Sequence, residues 1–274
     1  MIVSIVAMLA AMPVGDPEVV KQGEVLRVHA QPGAETTATF RGRTVKLFPQ
    51  DSGELLGLVP VPVLTPPGDY PMTIASGDAK TEHMVRVVDA RYRVQNIHAT
   101  ASMKSLAPLP GEMETMKALQ TMATDKRHWP DTFAAPTPQC ESSPFGVKRL
   151  HNGKATGNFH RGVDLASPLG TEVRATAAGT VRVAKMFRLH GGTIGIDHGQ
   201  GVTSYYIHLS QLLRQEGEFV QQGDVVAKVG ATGFATGPHL HWGVYVNGET
   251  VNPAQWGVRA APCPVPRVKP VRRK

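Results

Sequence analysis

Along most of this chain, apolar and polar residues alternate with a period near two. Between residues 16 and 93 the runs VLRVHA (25–30), TATFRG (37–42), VKLF (45–48), LLGLVPV (55–61), YPMTIA (70–75) and HMVRVV (83–88) read as short strands. Gly33, Asp51-Ser52-Gly53 and Pro66-Pro67-Gly68-Asp69 punctuate them as turns. The spacing predicts a β-sandwich of immunoglobulin-like size over 16–93. It carries no catalytic constellation and reads as a spacer or binding module.

Residues 94–138 change character. Pro108 and Pro110 precede GEMETMKALQTMATD (111–125), where Met113, Met116, Leu119 and Met122 recur every three residues. That pattern predicts a helix with one apolar face, and a Met-rich face of this kind serves packing rather than a cofactor. Pro130, Pro136 and Pro138 then mark a linker. Strand patterns return over 139–256, in TEVRATAAGTVRVAK (171–185), TIGIDHG (193–199), VTSYYIHLS (202–210), DVVAKVG (224–230) and HLHWGVYV (239–246). The expected fold class is mainly β: an immunoglobulin-like sandwich, a short helical and Pro-rich linker, and a C-terminal antiparallel β-sheet domain.

Composition sharpens this picture in two places. With 274 residues, 41% hydrophobic and 19% charged, the chain can bury a core in one large or two modest domains. A net charge of +7 invites a polyanion partner, but its placement argues otherwise. Residues 16–93 hold nine basic and ten acidic groups, 94–138 four of each, and 139–256 ten and eight. Residues 257–274 hold six basic groups and no acid. The globular parts are therefore nearly neutral, and with aromatics at only 6% no nucleic-acid partner is expected. The Pro-rich basic tail is expected to be disordered, either a solubilising tail or an electrostatic contact to an anionic envelope surface.

Residues 2–12, IVSIVAMLAAM, form an apolar run too short to span a membrane, followed by Pro13. Residues 1–15 are expected to be a signal peptide, which makes the protein periplasmic or secreted. No Lys or Arg precedes the run and no A-x-A site follows it, so the bland alternative is an ordinary first strand. Export would permit a disulfide between Cys140 and Cys263, which lie at the two ends of the C-terminal domain. Neither has a CxxC partner.

The chemistry concentrates late. Seven of eleven histidines follow residue 150. His160 and Asp164 form H-x3-D, and both residue types are ordinary zinc ligands. His239 and His241 form H-x-H; on a strand they share a face about 6.6 Å apart. Either both bind one metal, or one binds and the other faces its open side. His208 lies two residues after Tyr206, on the same face of a regular strand. Zinc catalysis needs three protein ligands and an open position. His160, Asp164 and one histidine of H-x-H supply three, and the two histidines left over suit general-base and oxyanion roles. Any one of them alone reads better as a hydrogen-bonded structural histidine; the whole set in one short strand-rich segment does not.

SPFGVKRLHNG (143–153), NFHRGVDLASPLGTEVRATAAGTV (158–181), IDHGQGVTSYYIHLS (196–210) and VQQGDVVAKVGATGFATGPHLHWGV (220–244) follow in order. Through them, residues 140–256 resemble the lysostaphin-type (LytM) zinc metallopeptidases, a family of peptidoglycan endopeptidases. The resemblance implies one Zn2+ held by His160, Asp164 and His241, His239 as general base or proton shuttle, and His208 as stabiliser of the tetrahedral intermediate; Tyr206 either assists His208 or is structural. It implies peptidoglycan peptide stems as substrate. Gly243 departs from the pattern, since many relatives carry an acidic residue there. The alternative is an inactive LytM-type module that binds the wall or activates another hydrolase. The Gly-rich loop 230–237 lacks a P-loop lysine and reads as a groove wall, and Asp197-His198-Gly199 as a hairpin turn. N-terminal regions of the family sometimes occlude the cleft, which singles out Asn96, His98 and His128.

Overall fold

A computed structural model describes residues 3–7, 17–97, 106–151 and 153–264. The N-terminal unit is built from β1 (Val3–Ala7), β2 (Glu18–Lys21), β3 (Val25–Ala30), β4 (Thr36–Phe40), β5 (Arg43–Lys46), β6 (Phe48–Pro49), β7 (Leu55–Pro60), β8 (Gly68–Ser76) and β9 (Ala79–Val88). They form two sheets, β1-β3-β7-β6 and β2-β9-β8-β4-β5. The alternation seen in the sequence packs Leu26, Val28, Phe40, Val59, Met72 and Val85 into one core. Val3–Ala7, inside the run expected as a signal peptide, pairs in parallel with Val25–Ala30. The rest of that run lies outside the described residues.

Strand β7 is buried along its whole length. Leu55 and Val59 face the sandwich core, whereas Leu56 and Leu58 join the core of the C-terminal domain. Its unbroken apolar run, LLGLVP, is what a strand covered on both faces requires. Asn247 Nδ2 donates to Leu58 O (2.7 Å) and Val25 N donates to Gln255 Oε1 (2.9 Å), so polar groups at this seam are also paired.

The segment expected as a linker lies along the C-terminal domain. Strand β10 (Val94–Ile97) is followed, past residues outside the described set, by α1 (Glu112–Gln120). The helix ends earlier than the expected 111–125, with Thr121 as its cap. Its buried face is Glu112, Met116 and Leu119, while Met113 is half exposed. The periodicity misplaced the face by one residue because a charged side chain holds a buried position. Beyond it, Trp129 and Phe133 enter the C-terminal core, and Trp129 Nε1 donates to Gly199 O at 3.1 Å.

The C-terminal domain comprises β11 (Glu141–Ser143), β12 (Lys148–His151), β13 (Lys154–Phe159), β14 (Val163–Leu165), β15 (Glu172–Arg174), β16 (Gly179–Met186), β17 (Gly192–Gly199), β18 (Val202–Leu212), β19 (Phe219–Val220), β20 (Val225–Val229), β21 (Leu240–Val246) and β22 (Glu249–Val251). A 3-10 turn, Pro253–Trp256, closes it. The main sheet runs β11-β14-β21-β18-β17-β16-β19, with antiparallel pairing at β14–β21, β21–β18, β18–β17 and β17–β16. Cys140 and Cys263 form a disulfide (Cα–Cα 4.9 Å), and Pro262 bridges Glu141. These contacts hold the chain to the domain as far as Cys263. Residues 265–274, most of the expected basic tail, lie outside the described residues. No described helix is long and apolar enough to cross a membrane.

Candidate active site

Strands β14 and β21 pair so that Asp164 stands directly opposite His241. His160 precedes β14 in irregular chain, and Gly162 lets that chain close onto β21: a Cβ at Gly162 would overlap the Trp242 carbonyl and lie 2.8 Å from His241 Nε2. The three residues converge. His160 Nε2 lies 2.9 Å from Asp164 Oδ1, His241 Nδ1 lies 2.7 Å from the same oxygen, and the two nitrogens are 3.0 Å apart. Asp164 Oδ2 turns the other way, 3.6 Å from the Arg149 guanidinium.

The other two predicted histidines face the same space. His239, one residue before β21, has Nε2 3.8 Å from Asp164 Oδ1, and its ring lies 4.9 Å from that of His208. His208 lies in β18 with φ at +65°, where regular alternation breaks. This turn of the backbone brings its ring to the face of β18 that carries Tyr205 and Ile207. Tyr206 is thereby separated from His208. It is fully buried in the core, where its hydroxyl accepts from Thr176 N at 2.9 Å, so the expected pairing of Tyr206 with the site does not occur.

Backbone acceptors fix the imidazoles. His160 Nδ1 donates to Pro144 O (2.8 Å), His208 Nδ1 to Thr232 O (2.8 Å) and His239 Nδ1 to Gly237 O (2.9 Å). A carbonyl accepts only, so each neutral ring keeps its lone pair on Nε2. Burial, followed by the neighbouring His241 and His239, lowers the pKa of His208 to about 3. Burial likewise lowers His241 to about 4 against the pull of Asp164. Burial raises the Asp164 carboxyl, but the charge and hydrogen bonds of His160 and His241 outweigh it and hold the pKa well below its ordinary value. The site therefore gathers four imidazoles around one carboxylate held well below its ordinary pKa.

His198 is not part of it. It is fully buried, with Nδ1 donating to Ala178 O and Nε2 facing Ser204 Oγ, each at 2.8 Å. Nor do the side chains singled out for occlusion reach it. Asn96 Oδ1 accepts from Gly153 N, and the His128 ring packs edge-on against Phe219. His98 lies outside the described residues. Sequence reasoning missed Tyr205, whose hydroxyl stands 3.5 Å from His241 Nε2. It also missed Thr232 and Gly162, the latter signalled only by a glycine between His160 and Asp164.

Residues 158–253, which contain all five predicted site residues, match the model of peptidase family M23. This stretch is an M23 peptidase domain. Similar proteins include a DD-carboxypeptidase/endopeptidase of Neisseria meningitidis, 44% identical over 112 residues, and the peptidoglycan DD-endopeptidase ShyC of Vibrio cholerae, 38% identical over 112 residues. Each alignment covers 41% of this chain, and the chain spans about a quarter (26%) of the length of these curated relatives. A solved structure described as an M23 peptidase from Pseudomonas aeruginosa superimposes with a TM-score of 0.68 at 27% identity, covering 89% of this chain and 96% of that one. The likeness therefore extends beyond the M23 domain into the N-terminal sheets.

Proposed function

We propose that this chain is a zinc-dependent metalloendopeptidase that hydrolyses peptide cross-links of bacterial peptidoglycan in the cell envelope. The observation that carries the reading is the convergence of His160, Asp164 and His241, within 4.8 Å of one another, beside two further imidazoles. The donor set fits zinc: two imidazole nitrogens and one carboxylate, with the proton of His160 already committed to a backbone carbonyl on its far side. Zinc, when bound, polarises a carbonyl and lowers the pKa of water.

His239 and His208 then manage one proton. Each has Nδ1 on a backbone carbonyl and Nε2 towards the site, so Nε2 of His239 is placed to accept the proton of the attacking water and return it to the leaving amine. A neutral His208 has no N–H to offer an oxyanion at Nε2. A stabilising role for it requires a second proton, taken up at Nε2 from solvent, so that the ring can donate to the developing charge. The names of the M23 relatives favour a D,D-peptide bond of the peptide stems. The Cys140–Cys263 disulfide favours a periplasmic or secreted location. An inactive wall-binding module is the weaker reading, because no donor is missing from the set.

The test is hydrolysis of a purified cross-linked muropeptide dimer. Turnover is expected from the zinc-loaded chain, with loss after chelation, recovery on adding zinc, and loss in His239→Ala. Turnover that survives both chelation and His239→Ala would overturn the assignment.

A further inference from the structure

Tyr205 sits at the crossing of the segments that carry the two candidate histidine ligands. In the β18–β21 register it stands directly opposite Gly243. A Cβ at position 243 would overlap the Tyr205 ring, so the phenol occupies the volume that any side chain at 243 would need. This accounts for the departure at Gly243: the bulk there comes from the neighbouring strand. The ring stacks on Tyr245, with centroids 4.6 Å apart, and lies 5.6 Å from the His241 ring.

Besides a hydrogen bond with the hydroxyl of the stacked Tyr245, the Tyr205 hydroxyl has two partners. It donates to Arg161 O at 2.9 Å, and it faces His241 Nε2 at 3.5 Å. Arg161 immediately follows His160. The directions are mutually consistent. If His241 is to offer its Nδ1 lone pair beside Asp164 and His160, its proton must sit on Nε2. There the phenol oxygen accepts it while donating its own proton to the Arg161 carbonyl. With the phenol 3% exposed, water does not compete for either contact.

We propose that Tyr205 is a positioning residue for the metal: it holds His241 in the Nε2–H tautomer and ties that ring to the backbone beside His160. This rests on the zinc reading above. It predicts a role in metal affinity rather than in proton transfer, since the phenol faces the outer nitrogen of a ligand and not the His208–His239 pair. Partners of this kind commonly contribute 10- to 100-fold to metal affinity.

The experiment measures zinc affinity of the metal-free full chain by competition with a chromophoric chelator, with thermal melting of each metal-free variant as the folding control. Tyr205→Phe keeps the ring over Gly243 and removes the acceptor; Gly243→Ala leaves the phenol intact and displaces it from the opposite strand. Both are expected to keep a cooperative melt and to bind zinc roughly 10- to 100-fold more weakly. A purely structural tyrosine would lower the melting temperature and leave zinc affinity alone. Unchanged affinity in either folded variant overturns the inference. If the unchanged chain shows no zinc binding that His160→Ala abolishes, the zinc reading fails first and the inference falls with it.

Discussion

A histidine's role is set by what its second nitrogen touches, and here three rings have that nitrogen committed to a backbone carbonyl. His160, His208 and His239 each spend Nδ1–H on Pro144, Thr232 and Gly237, which leaves Nε2 for chemistry. The H-x3-D and H-x-H spacings were legible because they put four donors where two short segments meet. The acceptor carbonyls were not, since no side-chain pattern encodes them. Regular alternation points to Tyr206 and passes over Tyr205 for a related reason. Alternation holds up to Ile207 and fails at His208, whose positive φ carries no sequence signal in a non-glycine residue. His198 gives a prediction at this scale. Burial lowers its pKa to about 4 from an unfolded value of 6.5. A depressed folded pKa means that the unfolded chain binds the extra proton. The stability is therefore fully present above pH 6.5 and is lost as pH falls towards 4, by about 3 kcal/mol at the lower end. Urea unfolding of the metal-free chain at pH 7 and pH 4 is expected to show this loss, and His198→Gln is expected to reduce the slope by about one proton.

Among the elements, α1 is the informative case. The periodicity found the helix and named Met116 and Leu119 as buried. It could not foresee that Glu112 would share their face. The Glu112 carboxylate is fully buried and accepts from Leu109 N (2.8 Å), Leu189 N (3.0 Å), His190 N (2.9 Å) and His190 Nδ1 (2.7 Å). Burial raises its pKa, but these hydrogen bonds outweigh that and lower it. The loop it holds leads to the site: His208 N donates to His190 O at 3.0 Å, and Phe234 N to Leu189 O at 2.8 Å. Glu112→Gln is therefore expected to cost about 2–3 kcal/mol in urea unfolding, since an ionised acceptor in a buried network is replaced by a neutral one. Muropeptide hydrolysis is expected to fall further than the fraction folded, because the loop behind His208 loses its anchor. Loss of stability with unchanged turnover would show that this coupling is absent. Strand β7 was legible only in part. The sequence marks it only as one more sandwich strand; its burial on both faces, and the M23 domain as partner of the second face, emerge from the three-dimensional packing.

For the molecule as a whole, the sandwich keeps its own core, but it and the intervening segment also feed the core of the M23 domain, where Leu56, Leu58, Trp129 and Phe133 join Tyr206 and Trp242. The mainly β class was readable from alternation and turn residues. The fusion of the parts was not, because Pro-rich stretches look alike whether they wrap a surface or span a gap. The disulfide closes a loop of 123 residues, and its reduction is expected to remove about 4 kcal/mol of stability, seen as a lower denaturation midpoint in reductant. Loss of residues 265–274, with five of the six basic groups beyond residue 256, is expected to weaken wall binding at low salt and to leave hydrolysis of a small soluble peptide intact. Impaired cleavage of that peptide would contradict a tether role. In the proposed function, His160, Asp164 and His241 hold a zinc used to cut peptide cross-links. Mass analysis of purified peptidoglycan digested by the full chain tests it most directly. Cross-linked dimers should be converted to monomers, one water gained per bond, with no conversion in chelator or in His160→Ala. Dimers left intact by the zinc-loaded chain, or cleavage that persists in both controls, would contradict it.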